Sequence, residues 1–139
     1  MREKKVYFSC KKVSDIMTHD VVAVDKTATI SSICAHMVRN RVRSVLVLSE
    51  GRFIGIVTAS DIIFKVLMKG LPEDKVRVSE IMSSPLITIN YDASVEDACK
   101  IMIEKKIRHL PVVRDGRIIG IVTPTDILRG IEVKTEEEE

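Results

Sequence analysis

Apolar and polar positions alternate along this chain in an order that is written twice. A short apolar run at 21–24 predicts a strand, and a second at 86–89 predicts its counterpart. After each run, apolar residues fall at 30, 33, 34, 37 and 38, and again at 95, 98, 99, 102 and 103. That spacing marks one face of an amphipathic helix. Thr29 and Ser94 stand where the N-caps belong, and Asp97, three residues after Ser94, comes close to a capping box. Two further strands are predicted at 45–48 and 53–58, with partners at 110–113 and 118–123. Ser49-Glu50-Gly51-Arg52 and Arg114-Asp115-Gly116-Arg117 join them, and Gly at the centre supplies the positive φ of a tight hairpin. A last helix is expected from near Ser60 and from near Thr125. Gly70 suits the residue just past the end of the first, with a linker at 71–75.

Residues 13–63 align with 78–128 at a constant offset of 65 and without a gap, giving 18 identities in 51 positions. The pairs include Met17/Met82, Arg43/Arg108, Gly55/Gly120, Thr58/Thr123 and Asp61/Asp126. Two halves this alike share a fold, a β-α-β-β-α unit. One such unit of about 50 residues buries its sheet and helices poorly, whereas two side by side bury them well. The expected organisation is a basic segment 1–12, repeat 1 over 13–69, a linker 70–77, repeat 2 over 78–131 and an acidic tail 132–139.

Composition narrows the function classes. Hydrophobic residues make up 45% and charged residues 30%, with only two Tyr and three Phe and no Trp, so the core is aliphatic. The head concentrates Arg2, Lys4, Lys5, Lys11 and Lys12 against Glu3, and the chain ends in Glu136 to Glu139, leaving a net charge of +2. Both ends are expected to be solvated and mobile. A basic head alone is weak ground for nucleic-acid binding, which is not expected. Cys10, Cys34 and Cys99 have neither metal nor disulfide spacing, and Cys34 and Cys99 occupy equivalent core positions. No apolar run approaches 18 residues and no apolar stretch follows the charged start, so neither a membrane partner nor a signal peptide is expected and a cytoplasmic location is.

The ends of the hairpins carry the candidate chemistry. Gly55-Ile56-Val57-Thr58-Ala59-Ser60-Asp61 and Gly120-Ile121-Val122-Thr123-Pro124-Thr125-Asp126 each run from a strand into a helix. Amides at a helix start favour an anion, and hydroxyls at 58 and 60, or 123 and 125, add donors. A carboxylate beside them suits a vicinal diol, which donates two hydrogen bonds. Phosphate with a diol describes a ribonucleotide. Capping alone explains the same residues, and spacing does not decide between the two. Arg43 and Arg108 precede the second strand of each repeat and suit phosphate, and His109 is either a phosphate donor or a half-buried polar residue. Arg41 and Lys106 read as cations at helix ends, and His19 and His36 as surface residues.

These motifs together resemble a pair of CBS domains, the cystathionine β-synthase repeat. The matching residues are Val13-Ser14-Asp15-Ile16-Met17 and Val78-Ser79-Glu80-Ile81-Met82, then Ile107-Arg108-His109-Leu110-Pro111-Val112-Val113, the Asp-Gly hairpin, and both Gly-Ile-Val-Thr-x-x-Asp endings. The resemblance implies an α/β (α+β) fold of two β-α-β-β-α repeats packed with pseudo-two-fold symmetry. It implies a regulatory module that binds adenosyl ligands (AMP, ADP or ATP, in some members S-adenosylmethionine or NAD) in clefts between the repeats, needs no further cofactor and signals to a separate effector protein. Carried onto this chain, Asp61 and Asp126 hold ribose. Thr58, Ser60, Thr123 and Thr125 reach phosphate, the backbone at Val22-Ala23 and Ile87-Thr88 reads adenine, and Arg43, Arg108 and His109 supply the cationic side. The first repeat departs from the pattern, with Ser44-Val45-Leu46 where the second has His109-Leu110-Pro111, so the Asp126 site is expected to bind more tightly. Such pairs associate into homodimers. The alternative function is a ligand-free interaction scaffold. An enzyme is not expected: the chain shows no nucleophile–base pair, metal cluster or catalytic carboxylate pair. It also lacks room for the roughly 250-residue barrel of the IMP dehydrogenases, which carry such a pair as an insertion.

Overall fold

A computed structural model describes residues 4–8 and 12–135. In chain order the elements are β1 (Lys4–Phe8), α1 (Val13–Ile16), β2 (Ala23–Asp25), α2 (Ile30–Asn40), β3 (Ser44–Ser49), β4 (Arg52–Thr58) and α3 (Ala59–Ile62). There follow β5 (Ile89–Asn90), α4 (Val95–Lys105), β6 (Leu110–Arg114), β7 (Arg117–Val122), α5 (Pro124–Arg129) and β8 (Ile131–Thr135). α3 continues as a π-helical stretch, Ile63–Leu67, and a 3₁₀ turn covers Val78–Glu80. The fold is mixed α and β, with two three-stranded sheets ordered β2-β3-β4 and β5-β6-β7. In each, the first pair is parallel and the second antiparallel.

Local chemistry accounts for most boundaries. Thr29 accepts the Ser32 amide at 3.3 Å and Ser94 accepts the Asp97 amide at 3.0 Å, so both long helices begin where a hydroxyl satisfies an orphan donor. The reciprocal bond from Asp97 that would complete a capping box is not formed. Both helices end on a left-handed residue, Arg41 at φ 54° and Lys106 at φ 55°. The hairpins turn through Glu50-Gly51 and Asp115-Gly116, all four at positive φ, which is the type I′ geometry that matches strand twist. The last helices start at Ala59 and Pro124, near Ser60 and Thr125 as expected. Thr58 and Thr123 are themselves the caps, because an Asp three residues on turns back to the cap amide. The first strands begin later than expected, at Ala23 and Ile89. In the first sheet the Leu46 amide still reaches the Val22 carbonyl at 2.8 Å. Its equivalent, Pro111, has no N–H to give.

The chain gathers into two compact units that do not coincide with the two sequence repeats: one spans Asp20–Ile87, the other joins the segment up to His19 with the segment from Thr88. Each repeat's entry segment therefore belongs to the unit built by the other repeat. In the Asp20–Ile87 unit, Val78 bonds the Ala28 carbonyl at 2.9 Å, and Ser83 and Ile56 exchange backbone bonds of 2.9 and 3.1 Å. In the other unit, Val13 bonds the Ala93 carbonyl at 2.9 Å, and Thr18 and Ile121 exchange bonds of 2.8 and 2.9 Å. Val13 and Val78 are fully buried, each worth about 1.5–3 kcal/mol of apolar burial. Val78 and Ile81 join Val24, Ile30, Ile33, Val45, Val47 and Val57 in one aliphatic core.

The ends correct the sequence reading. Lys4–Phe8 pairs antiparallel with Ile131–Thr135, from Lys4 opposite Thr135 to Phe8 opposite Ile131. Lys4–Phe8 and Ile131–Thr135 are thus paired strands rather than irregular ends. Charged neighbours hide their short β-prone runs, and the partners lie more than 120 residues apart. Cys10, Lys11 and the glutamates at 136–139 lie outside the described residues.

A Cβ on Gly120 would meet Met17 Sδ at 2.6 Å and the Thr18 carbonyl at 2.9 Å; on Gly55 it would meet Met82 Sδ and the Ser83 carbonyl at 2.8 Å. Gly116 has open space but a φ of 76°. In urea denaturation Gly120→Ala is expected to lose about 1–3 kcal/mol by overpacking. Gly116→Ala is expected to lose about 1–2 kcal/mol by left-handed strain. Only the first should raise amide exchange at Thr18.

Candidate functional site

Each unit carries its candidate residues at one end of a three-stranded sheet. In the Asp20–Ile87 unit, Ala23 opens β2 opposite Leu46, and Ser44 opens β3 opposite Thr58, which closes β4. The Ala59 amide bonds the Arg43 carbonyl at 2.9 Å. Val22, Ala23, Arg43, Thr58, Ser60 and Asp61 are thereby gathered at a single edge. Arg43 and Ser60 are exposed, Val22, Thr58 and Asp61 half-buried. In the second unit Leu110 opens β6 opposite Val122, and Ile89 pairs with Val112. Thr88, Arg108, His109, Thr123, Thr125 and Asp126 gather at the matching edge. Arg108 and Thr125 are exposed and His109 is half-buried. Ile87, half-buried, directly precedes Thr88.

The two carboxylates are held alike on one oxygen and differently on the other. Asp61 Oδ2 accepts the Thr58 amide at 2.9 Å and the Thr58 hydroxyl at 3.1 Å. Asp126 Oδ2 accepts the Thr123 amide and hydroxyl at the same 2.9 and 3.1 Å. Asp61 Oδ1 faces Lys65 Nζ at 3.1 Å, and Lys65 also donates to the Ile81 carbonyl at 2.9 Å. Asp126 Oδ1 accepts the Thr18 hydroxyl at 2.8 Å and is paired with Arg129. An ionised carboxylate has about four acceptor positions. Asp126 has all of them filled and is 1% exposed, whereas Asp61 keeps one open and its side chain is 15% exposed.

Sequence reasoning did not single out Thr18, Lys65 or Arg129. The two cations were legible in principle, one helical turn beyond each Asp. They break the repeat, since Lys65 aligns with Gly130 and Arg129 with Phe64. Thr18 lies 108 residues from Asp126, and no local pattern links them. Burial raises the pKa of the Cys34 and Cys99 thiols, with Glu73 and Glu96 adding to it, so both stay protonated and unreactive at neutral pH. Among the described residues no cluster of His, Cys, Asp and Glu could hold a metal ion, and no helix is long and apolar enough to cross a membrane.

Comparison with known proteins agrees with this architecture. The model of the CBS domain matches residues 13–67 and 78–133. An uncharacterized protein of Methanopyrus kandleri is 40% identical over 119 residues, covering 84% of this chain and 61% of that protein. A CBS domain-containing protein of Bacillus subtilis is 33% identical over 115 residues, covering 83% of this chain and 81% of its own. The chain spans only 32% and 60% of two uncharacterized relatives from Methanocaldococcus jannaschii. Among solved structures, the hexameric CBS-CP12 protein from bloom-forming cyanobacteria superposes with a TM-score of 0.80 at 31% identity, over 84% of this chain and 69% of that one. An uncharacterized conserved protein from Pyrococcus horikoshii gives 0.80 at 30% identity, over 88% and 92%. The repeat read from the sequence is therefore a tandem of CBS domains, and the chain belongs to that family of regulatory modules.

Proposed function

We propose that this chain is a non-enzymatic sensor that binds an adenosyl ligand, of the AMP, ADP and ATP class, at the sheet edges and passes occupancy to a partner protein. The reading rests on one observation above all. At both edges a backbone stretch at the start of the first strand, a Thr-x-(Ser/Thr)-Asp helix start and an arginine come from three different segments. Capping requires the Thr and the Asp but gives no reason for an exposed arginine beside them. Asp61 or Asp126 would take the ribose hydroxyls. Ser60 or Thr125, exposed on the first helical turn, would reach phosphate with Arg43, or with Arg108 and His109. The tighter Asp126 site expected from sequence carries a cost that sequence does not reveal, since two donors must leave before a diol can enter. The Asp61 edge accepts one hydroxyl without that step.

A ligand-free scaffold is the second reading, because the cap together with Thr18 and Arg129 satisfies Asp126 completely. Thermal denaturation separates the two. AMP or ATP at 100 times its dissociation constant is expected to add about 2.7 kcal/mol. Arg108→Met, an exposed change outside the caps, is expected to weaken ATP about ten-fold and adenosine hardly at all. No stabilisation by any adenosyl compound would favour the scaffold.

Self-association is proposed as well. Val38 and Ile103, equivalent residues on α2 and α4, are 81% and 77% exposed. Apolar side chains this open at matching positions suit burial against another copy, and the cyanobacterial relative is described as hexameric. Sedimentation velocity is expected to find a dimer, and Val38→Glu with Ile103→Glu a monomer. An unchanged sedimentation coefficient would place the interface elsewhere.

A further inference from the structure

We infer that the two candidate edges do different work: binding at Asp126 releases the entry segment through Thr18, whereas binding at Asp61 leaves its own entry segment in place. This rests on the adenosyl reading above. The Thr123 amide and hydroxyl belong to the cap of α5, and removing them would unwind the helix start. The displaceable donors on Asp126 are therefore those on Oδ1: the Thr18 hydroxyl at 2.8 Å and the Arg129 guanidinium. A vicinal diol brings two hydroxyl donors to a carboxylate with no vacant acceptor position. Thr18 and Arg129 must give way.

Thr18 is well sited to transmit that loss. It closes the entry segment, bonding Ile121 through its backbone and Asp126 through its side chain, so one residue spans the sheet and the ligand edge. Upstream lie Met17, seated over Gly120, and Ile16, whose Cγ2 would lie 3.0 Å from a Cβ on Gly130. Gly130 directly precedes β8, the strand paired with β1. Loosening Thr18 thus acts on the same stretch of chain that carries the terminal two-stranded sheet.

The other edge lacks this link. Ser83 is the counterpart of Thr18 and keeps the backbone exchange with Ile56, but it is exposed and makes no bond to Asp61. Asp61 instead holds Lys65, which reaches the Ile81 carbonyl, and its Oδ1 still has room for one hydroxyl. A diol there fills that position and displaces only Lys65 from Oδ1; the Lys65 ammonium can keep its bond to the Ile81 carbonyl, so the entry segment stays seated. The near-symmetric repeat thereby gains one coupled site and one uncoupled site, set by a hydroxyl at 18 that contacts its Asp and one at 83 that does not.

The test uses the full chain, AMP as the probe, titration calorimetry for affinity and amide exchange at Thr18 and Ser83 for release. Thr18→Val keeps shape but removes the competing donor. It is expected to tighten AMP at one site about five-fold, while Ser83→Ala leaves both affinities unchanged. AMP is expected to speed exchange at Thr18 in the wild type and to slow or leave unchanged that at Ser83. If AMP binds but Thr18→Val leaves every affinity as it was and Thr18 exchange is unmoved, the coupling is wrong and the ligand reading stands. If AMP binds neither wild type nor variant, both fall. Binding to Thr18→Val alone would support the coupling in its strongest form.

Discussion

The structure depends on a close approach of two backbones. Met17-Thr18 and Met82-Ser83 can lie against β7 and β4 only because residues 120 and 55 have no side chain. Each approach adds a two-bond antiparallel bridge to the sheet edge and brings a fully buried valine into the core. Edge strands left bare are prone to pair with other chains; here the β4 and β7 edges each meet a segment of the same chain. The segment comes from the neighbouring repeat in sequence, so the compact units and the sequence repeats have different boundaries.

A second economy concerns the two aspartates. The group best suited to hold ribose is also the one that starts the helix, so the site is organised before any ligand arrives. Preorganisation of this kind lowers the ordering cost of binding. It also limits capacity, because a carboxylate already serving a cap has two acceptor positions left. What occupies those positions sets the difference between the edges, and neither Lys65 nor Arg129 nor Thr18 is shared by the two repeats in the same role.

Much of this was legible in the sequence, since it was encoded in short-range pattern. Turn glycines with an acidic neighbour, Ser/Thr caps and the i, i+3, i+4 helix face each act over a few residues. The duplication then counted every signal twice. Thr58 and Thr123 end a strand and cap a helix at once, a double duty that propensity does not show. Terminal pairing was missed because charge masks the short β-prone runs and nothing local joins residues 4–8 to 131–135. The Thr18–Asp126 bond escaped for the same reason, with 108 residues between its ends. The exchanged entry segments were recognised as a motif but not as a swap, because a repeat boundary drawn from alignment marks where similarity begins rather than where the segment packs.

Native-state amide exchange on the full chain without ligand tests the exchanged docking most directly. The amides of Thr18, Ile121, Ile56 and Ser83 should be protected as strongly as those in the centres of β3 and β6, since on this account the entry segments are firmly bridged to the outer strands β7 and β4. Protection of Thr18 and Ser83 at the level of the exposed 71–75 loop, with the β3 and β6 amides still protected, would contradict it.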